Sequence, residues 1–106
     1  MSAGIKSEHW DDAHGNPAGG TTFGDGFAIE WQNGPLGRGE ERREPTGAVV
    51  EDVIAAAADR LRYYQDSKFA CSYNATALKH LVAALVALYQ RTKGREARGV
   101  EGTYKV

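Results

Sequence analysis

The stretch from Asn74 to Lys105, NATALKHLVAALVALYQRTKGREARGVEGTYK, leaves the chain few choices. Leu78, Leu81, Leu85 and Leu88 recur at the spacing of one helix face, and the sequence then turns basic at Arg91, Lys93, Arg95 and Arg98. An apolar stripe of this kind needs a partner. Val50, Ile54, Ala57, Leu61 and Tyr64 supply one, recurring at helical spacing in the preceding segment. Alanines at 55–58 match Ala83, Ala84 and Ala87, and small residues on both sides let two backbones approach in an antiparallel helical hairpin. The pattern predicts helices over residues 48–68 and 74–98. Thr46 is the expected N-cap of the first, and Ser72 or Asn74 of the second. Gly94 costs about 1 kcal/mol inside a helix, and Gly99 is placed to cap one that runs past it.

The opening of the chain has a different grammar. Residues 1–20, MSAGIKSEHWDDAHGNPAGG, mix glycine, acids and polar residues without period, as an extended flexible arm would. From Thr21 the signals are those of a sheet. A Gly24-Asp25-Gly26 turn precedes a run in which Phe27, Ile29 and Trp31 alternate with Ala28, Glu30 and Gln32, which reads as a half-buried strand in a hairpin. Asn33-Gly34 and Pro35 to Gly39 continue as a glycine-rich loop, and Glu40 to Glu44 is a charge-balanced, solvated connector. The expected fold class is α+β: a small N-terminal antiparallel sheet within residues 21–45, then the long hairpin, then a tail over 99–106.

Composition bounds the function. The chain has 106 residues and a formal net charge of −1, so it is one domain and not a general nucleic-acid binder; no DNA or RNA partner is expected. The charge is uneven. Residues 91–105 hold five Lys or Arg against two Glu, a compact patch suited to a small anion. Thirteen glycines leave little material for a core, so an oligomer is expected. Cys71 is the only cysteine, which excludes an internal disulfide and fits a reducing cytosol, where it would serve as a small buried apolar residue. There is no leader-like segment and no long uncharged apolar run, so no membrane partner is expected. His9, Asp11, Asp12 and His14 match no dedicated metal-site spacing, and neither a metal nor a cofactor is expected.

No nucleophile sits in a catalytic motif, and His80 has no evident partner, so the chain does not read as an enzyme. The parts present are those of a binding pocket. Tyr63, Tyr64, Phe69 and Tyr73 lie near the helix junction, where an aromatic face can stack on a purine. Asn74 offers the paired donor and acceptor that read an adenine edge. Arg91, Arg95 and Arg98, at i, i+4 and i+7, can hold phosphate if the helix persists, although cations at a helix C-terminus also simply complement the macrodipole. Asn74 and Arg91 stand about 25 Å apart along one helix. They can share a small ligand only if two hairpins pack antiparallel, so a nucleotide pocket here requires a dimer.

Three segments in order, WQNGPLGRGEERREPTGAVVEDVI, YYQDSKFACSYNATALKHL and QRTKGREARGVEGTYK, resemble the phage-encoded Thoeris anti-defence sponge family over roughly residues 23–105. The ending R-x-x-R-G-V-E-G-T is similar to that of the related anti-CBASS cyclic-nucleotide sponges. The resemblance implies a protein of the host bacterial cytoplasm that sequesters cyclic nucleotide alarm signals without destroying them. Cyclic ADP-ribose isomers come first among these, and cyclic di- or trinucleotides in some members. It implies a small sheet with two long helices, assembled as a homodimer and in some members a hexamer. Carried over by motif, the adenine-contacting aromatic is Tyr64, with Phe69 its competitor, the polar contact is Asn74, and the phosphate pair is Arg91 and Arg95. A second pocket would fall near Arg38 or near Arg98 to Thr103. Two features depart from the family pattern: Tyr73 stands where a charged residue is expected, and the second helix is rich in Ala and Val where relatives carry acids. The rival readings are an enzyme that degrades the same signal and a small structural or nucleic-acid-binding phage protein.

Overall fold

The computed structural model describes residues 4–106 and divides into two units, residues up to 49 together with 98–106, and residues 50–97. In the first unit, β1 (Lys6–Asp11), β2 (Pro17–Gly24) and β3 (Phe27–Trp31) form an antiparallel meander in that order. The Asp25-Gly26 pair closes the second hairpin, with Gly24 opposite Phe27 and Gly26 at φ +91°, a conformation that glycine adopts without strain. On β3, Ile29 and Trp31 are half-buried and Ala28 and Glu30 exposed, as the alternation predicts, while Phe27 remains exposed. Trp31 donates its indole N–H to Thr22 Oγ1 at 2.8 Å, tying β3 to β2 through side chains.

The expected flexible arm is where sequence and structure part. Residues 6–11 are β1, fully exposed along its length, and β2 begins at Pro17 rather than Thr21. Backbone pairing, which composition does not report, outweighs the polar sequence. Ser7 Oγ lies 2.9 Å from Thr22 Oγ1 across the strands, and Trp10 covers Gly19, where a Cβ would lie 3.1 Å from the indole. Asp12 shapes the connecting turn by accepting the N–H groups of His14 and Asn16 at 2.8 and 3.0 Å.

The sheet ends at Trp31, well before residue 45. Ala48 returns beside Trp31 in an isolated parallel bridge, with Gln32 N–H to Ala48 O at 2.8 Å and Ala48 N–H to Glu30 O at 2.7 Å. Thr46 is part of this closure rather than a helix cap: its hydroxyl accepts from Asn33 N–H at 2.9 Å and its own N–H goes to Gln32 Oε1 at 2.9 Å. The intervening loop carries one short 3-10 turn, Gly39–Glu41, and receives the C-terminal tail. Gly37 N–H donates to Gly102 O at 2.9 Å, and Arg42 pairs with Glu101 at 2.9 Å.

The second unit is the expected hairpin, with α1 at Val50–Gln65 and α2 at Ser72–Ala97. Both ends of α1 fall inside the expected bounds of 48–68. At its C-terminus, Ser67 Oγ donates to Tyr64 O at 2.6 Å, and Gln65 turns its amide onto the Cys71 backbone, so the chain leaves the helix. Neither Ser72 nor Asn74 caps α2. Cys71, exposed rather than buried, precedes the helix and its sulfur accepts Asn74 N–H at 3.4 Å. The helix continues through Gly94, and Gly99 follows its end at φ +72°.

Of the expected stripe on α1 only Ile54 and Leu61 are half-covered; Val50, Ala57 and Tyr64 are exposed, and the last two give way to the residues that follow them. Ile54, Ala58, Leu61 and Gln65 line α1, with Ala58 fully covered and Ala57 and Tyr64 exposed. On α2, where Val82 and Ala84 are also half-covered, Asn74, Leu78, Leu81, Leu85, Leu88, Thr92 and Arg95 are half-covered in alternating steps of four and three. That is the 3.5-residue period of helices packed side by side, and it selects Ala58 over Ala57. Ala58 is the one buried apolar side chain among the described residues. No helix among them is long and apolar enough to cross a membrane.

Candidate functional site

The hairpin turn gathers most of the aromatic residues singled out from the sequence. Tyr63 and Tyr64 close α1 with ring centroids 6.0 Å apart and planes tilted by 56°. Phe69 occupies the connection and is 67% exposed, and Tyr73, in the first turn of α2, is 85% exposed. Rings exposed together in this way offer their faces to a ligand, although large apolar side chains are also exposed elsewhere along the chain, Trp10 and Tyr89 among them. The turn that carries them is held by short polar contacts. The Gln65 side chain makes a two-point bond to Cys71, accepting its N–H at 3.0 Å and donating to its carbonyl at 3.1 Å, in place of a backbone partner. Ser67 Oγ accepts Phe69 N–H at 3.1 Å, and Asn74 Nδ2 reaches Phe69 O at 3.4 Å. Tyr64, Phe69 and Asn74 are thereby brought to one end of the hairpin.

Two cations lie against these rings. Lys68 Nζ is 5.3 Å from the Phe69 centroid, and Arg60 Cζ is 4.9 Å from the centroids of both Tyr63 and Tyr64. Arg60 Nε also donates to the Tyr64 hydroxyl at 3.1 Å, and this bond, followed by the electrostatic effect of the same phenol, raises the guanidinium pKa above its ordinary value. Arg60 lies off the apolar stripe of α1 and is exposed, so helical periodicity alone gives it no role. Its signal was local: residues i+3 and i+4 from Arg60 are both tyrosines, within reach of a side chain on the same helical surface.

The remaining expected residues fall elsewhere. Arg91 is exposed and Arg95 half-covered near the C-terminus of α2, and Arg95 already has a partner within the fold. Arg98 lies beyond the end of α2, where its Nη1 donates to Val106 O at 2.8 Å, so the three arginines do not form one helical row of open forks. Arg38 and Thr103 belong to the sheet unit. Arg38 Nη1 donates to the Glu101 carbonyl at 3.0 Å, and Thr103 Oγ1 closes its own turn onto Val100 O at 2.6 Å. Nearby, partial burial, followed by the Asp12 carboxylate and its hydrogen bond, raises the Tyr104 phenol above its usual range. Asp12 in turn is held below the carboxylate range, first by the Asn16 N–H and then by that of His14.

The fold is a small α+β architecture in which aromatic and amide groups gather at the exposed turn of a helical hairpin. The sequence model of the Acb2/Tad1 hairpin domain matches residues 25–93, and the chain belongs to that family. The match spans Tyr64, Phe69, Asn74 and Arg91 and stops short of Arg95. The chain is also 42% identical over 77 residues to "Thoeris anti-defense 1" of Bacillus phage SBSphiJ7, covering 73% of this chain and 51% of that protein. It therefore spans about half the length of that relative.

Proposed function

We propose that this chain is a phage anti-defence sponge, which acts inside the infected host by binding a cyclic nucleotide alarm signal, a cyclic ADP-ribose isomer before others, and withholding it from the defence effector. The observation that carries the reading is the hairpin turn, where Tyr64 and Phe69 offer stacking faces beside the Asn74 amide in a segment shared with the Acb2/Tad1 family. Tyr64 takes the purine, with Phe69 as its competitor, and Asn74 its polar edge; Arg91 and Arg95 neutralise phosphate. Since about 25 Å of helix separates Asn74 from Arg91, each pocket is completed by a second chain lying antiparallel to the first. The coverage of the hairpin supports such an assembly, because Ala58 alone is buried and Val86 and Tyr89 of α2 remain 48% and 53% exposed.

Sequestration works by mass action, each occupied pocket removing one messenger. The role is not catalytic. A second pocket, for a larger cyclic oligonucleotide, would fall near Arg38 or near Arg98 to Thr103, and Arg98, which donates to Val106 O, is set aside from the phosphate pair. The test is to incubate excess protein with cyclic ADP-ribose isomers, remove free ligand, denature the complex and chromatograph what is released. Ligand recovered unchanged supports sequestration; a linear or hydrolysed product makes the chain an enzyme. Ligand that never enters the complex, with steeply salt-dependent retention of DNA or RNA instead, favours a nucleic-acid-binding role.

A further inference from the structure

We propose that Arg60 is a positioning residue of the ligand pocket, fixing the Tyr64 ring in the orientation on which a purine stacks. The inference rests on the sponge reading and extends it to a residue outside the pocket set named above. All the contacts made by the Arg60 guanidinium among the described residues are with the two tyrosines: Nε–H to the Tyr64 hydroxyl at 3.1 Å, and Cζ 4.9 Å from each ring centroid. It forms no ion pair with any described carboxylate. An exposed arginine ordinarily keeps its rotamers free, and an exposed tyrosine at a helix end reorients on the picosecond-to-nanosecond scale.

Here each immobilises the other. The phenol is held at its oxygen while the guanidinium lies against the ring, so rotation about either side-chain torsion breaks a contact. The cation lies over the Tyr64 ring, 4.9 Å from its centroid, and the base would stack on ring surface that the guanidinium does not cover. Fixing a side chain in its bound geometry before the ligand arrives removes the ordering cost from the binding step, which strengthens binding without adding a contact to the ligand.

The test compares wild type, Arg60→Met, Arg60→Lys, Tyr64→Phe and the double variant Arg60→Met/Tyr64→Phe. Calorimetric Kd is read for the cyclic ADP-ribose isomer that wild type binds most tightly, and Tm is measured without ligand. Because Arg60 is on the surface, its Met variant should leave Tm within a few degrees while weakening binding by about tenfold. Lysine should not rescue fully, since its ammonium can donate to the phenol or lie over a ring but has no planar face with which to do both at once. Tyr64→Phe should cost less than Arg60→Met and nothing further in the Met background, since the two act through one contact. Unchanged Kd for Arg60→Met, full rescue by lysine, or losses that add in the double variant would overturn the inference while leaving the sponge reading intact. A fall in Tm by many degrees for Arg60→Met would overturn it too, by making the residue a support of the fold. Failure of wild type to bind any isomer would instead defeat the parent reading, and this inference with it.

Discussion

The sheet unit and the hairpin unit use similar residues to opposite ends. In the sheet unit the charged and polar groups close on one another: Arg42 on Glu101, Arg38 on the Glu101 carbonyl, Thr46 on Asn33. In the hairpin, Arg60 and Lys68 lie against exposed rings, and Arg91 is exposed near the end of α2. A guanidinium committed to backbone carbonyls makes a loop hold its shape. One set beside a ring, or left in solvent, is available to act on something else. The contrast is what the proposed function draws on: recognition by the hairpin, with the sheet and its tail as a self-closing scaffold.

That contrast can be broken most sharply at the cations. Arg91→Ala and Arg95→Ala should each weaken binding of a cyclic ADP-ribose isomer by about ten- to a hundredfold, the worth of charge-assisted bonds to phosphate, with far-UV circular dichroism unchanged. Equal affinity in both variants would remove the phosphate pair from the account. Next in size is the seam. Ala58→Leu adds three carbons at the one fully covered side chain of the hairpin and should cost about 1–3 kcal/mol, read as a lower denaturant midpoint.

Smaller effects are expected in the scaffold. Gly102 sits at φ +77° against the Gly37 carbonyl, so Gly102→Ala should loosen the tail by about 1–2 kcal/mol and speed amide exchange at Gly37. Glu101→Gln removes the Arg42 ion pair, which is partly open to solvent, and should cost less than about 1 kcal/mol, with ligand affinity untouched. The pH dependence should be slight and two-sided. Asp12 is lowered in the fold, so its contribution is complete above about pH 4 and is lost as pH falls through the depressed value. Tyr104 is raised, so its contribution is complete below about pH 10 and is lost as pH climbs through the elevated value. The unfolding midpoint of the sheet unit should be flat between those limits and fall at both ends.

Where local chemistry decides, the sequence was readable. The leucine spacing marked α2, Asp25-Gly26 marked the hairpin turn, and Gly99 marked the stop. Where a distant strand or a competing side chain decides, it was not. β1 is polar and exposed, and most of its pairing with β2, from His9 with Gly20 out to Lys6 with Phe23, joins residues more than ten apart. Thr46 had the residue type of a cap, but Asn33 and Gln32 claimed it, while Cys71 took the capping place of Ser72 or Asn74. Tyr64 was in phase with the apolar stripe yet is exposed, because Gln65 fills the seam at that turn and spends its amide on Cys71. Of the candidate groups, the spacing brought the rings and Asn74 to the turn, whereas the contact of Arg60 with both tyrosines depends on side-chain geometry that spacing only permits.

The measurement that tests the central claim most directly is calorimetric titration of the purified chain with a panel of cyclic ADP-ribose isomers, with mass determined in solution alongside. The account predicts tight binding of at least one isomer by a dimer or larger assembly, at about one ligand per chain, as two equivalent pockets in a twofold pair require. No heat across the panel, or equally tight binding by a monomer, would contradict it.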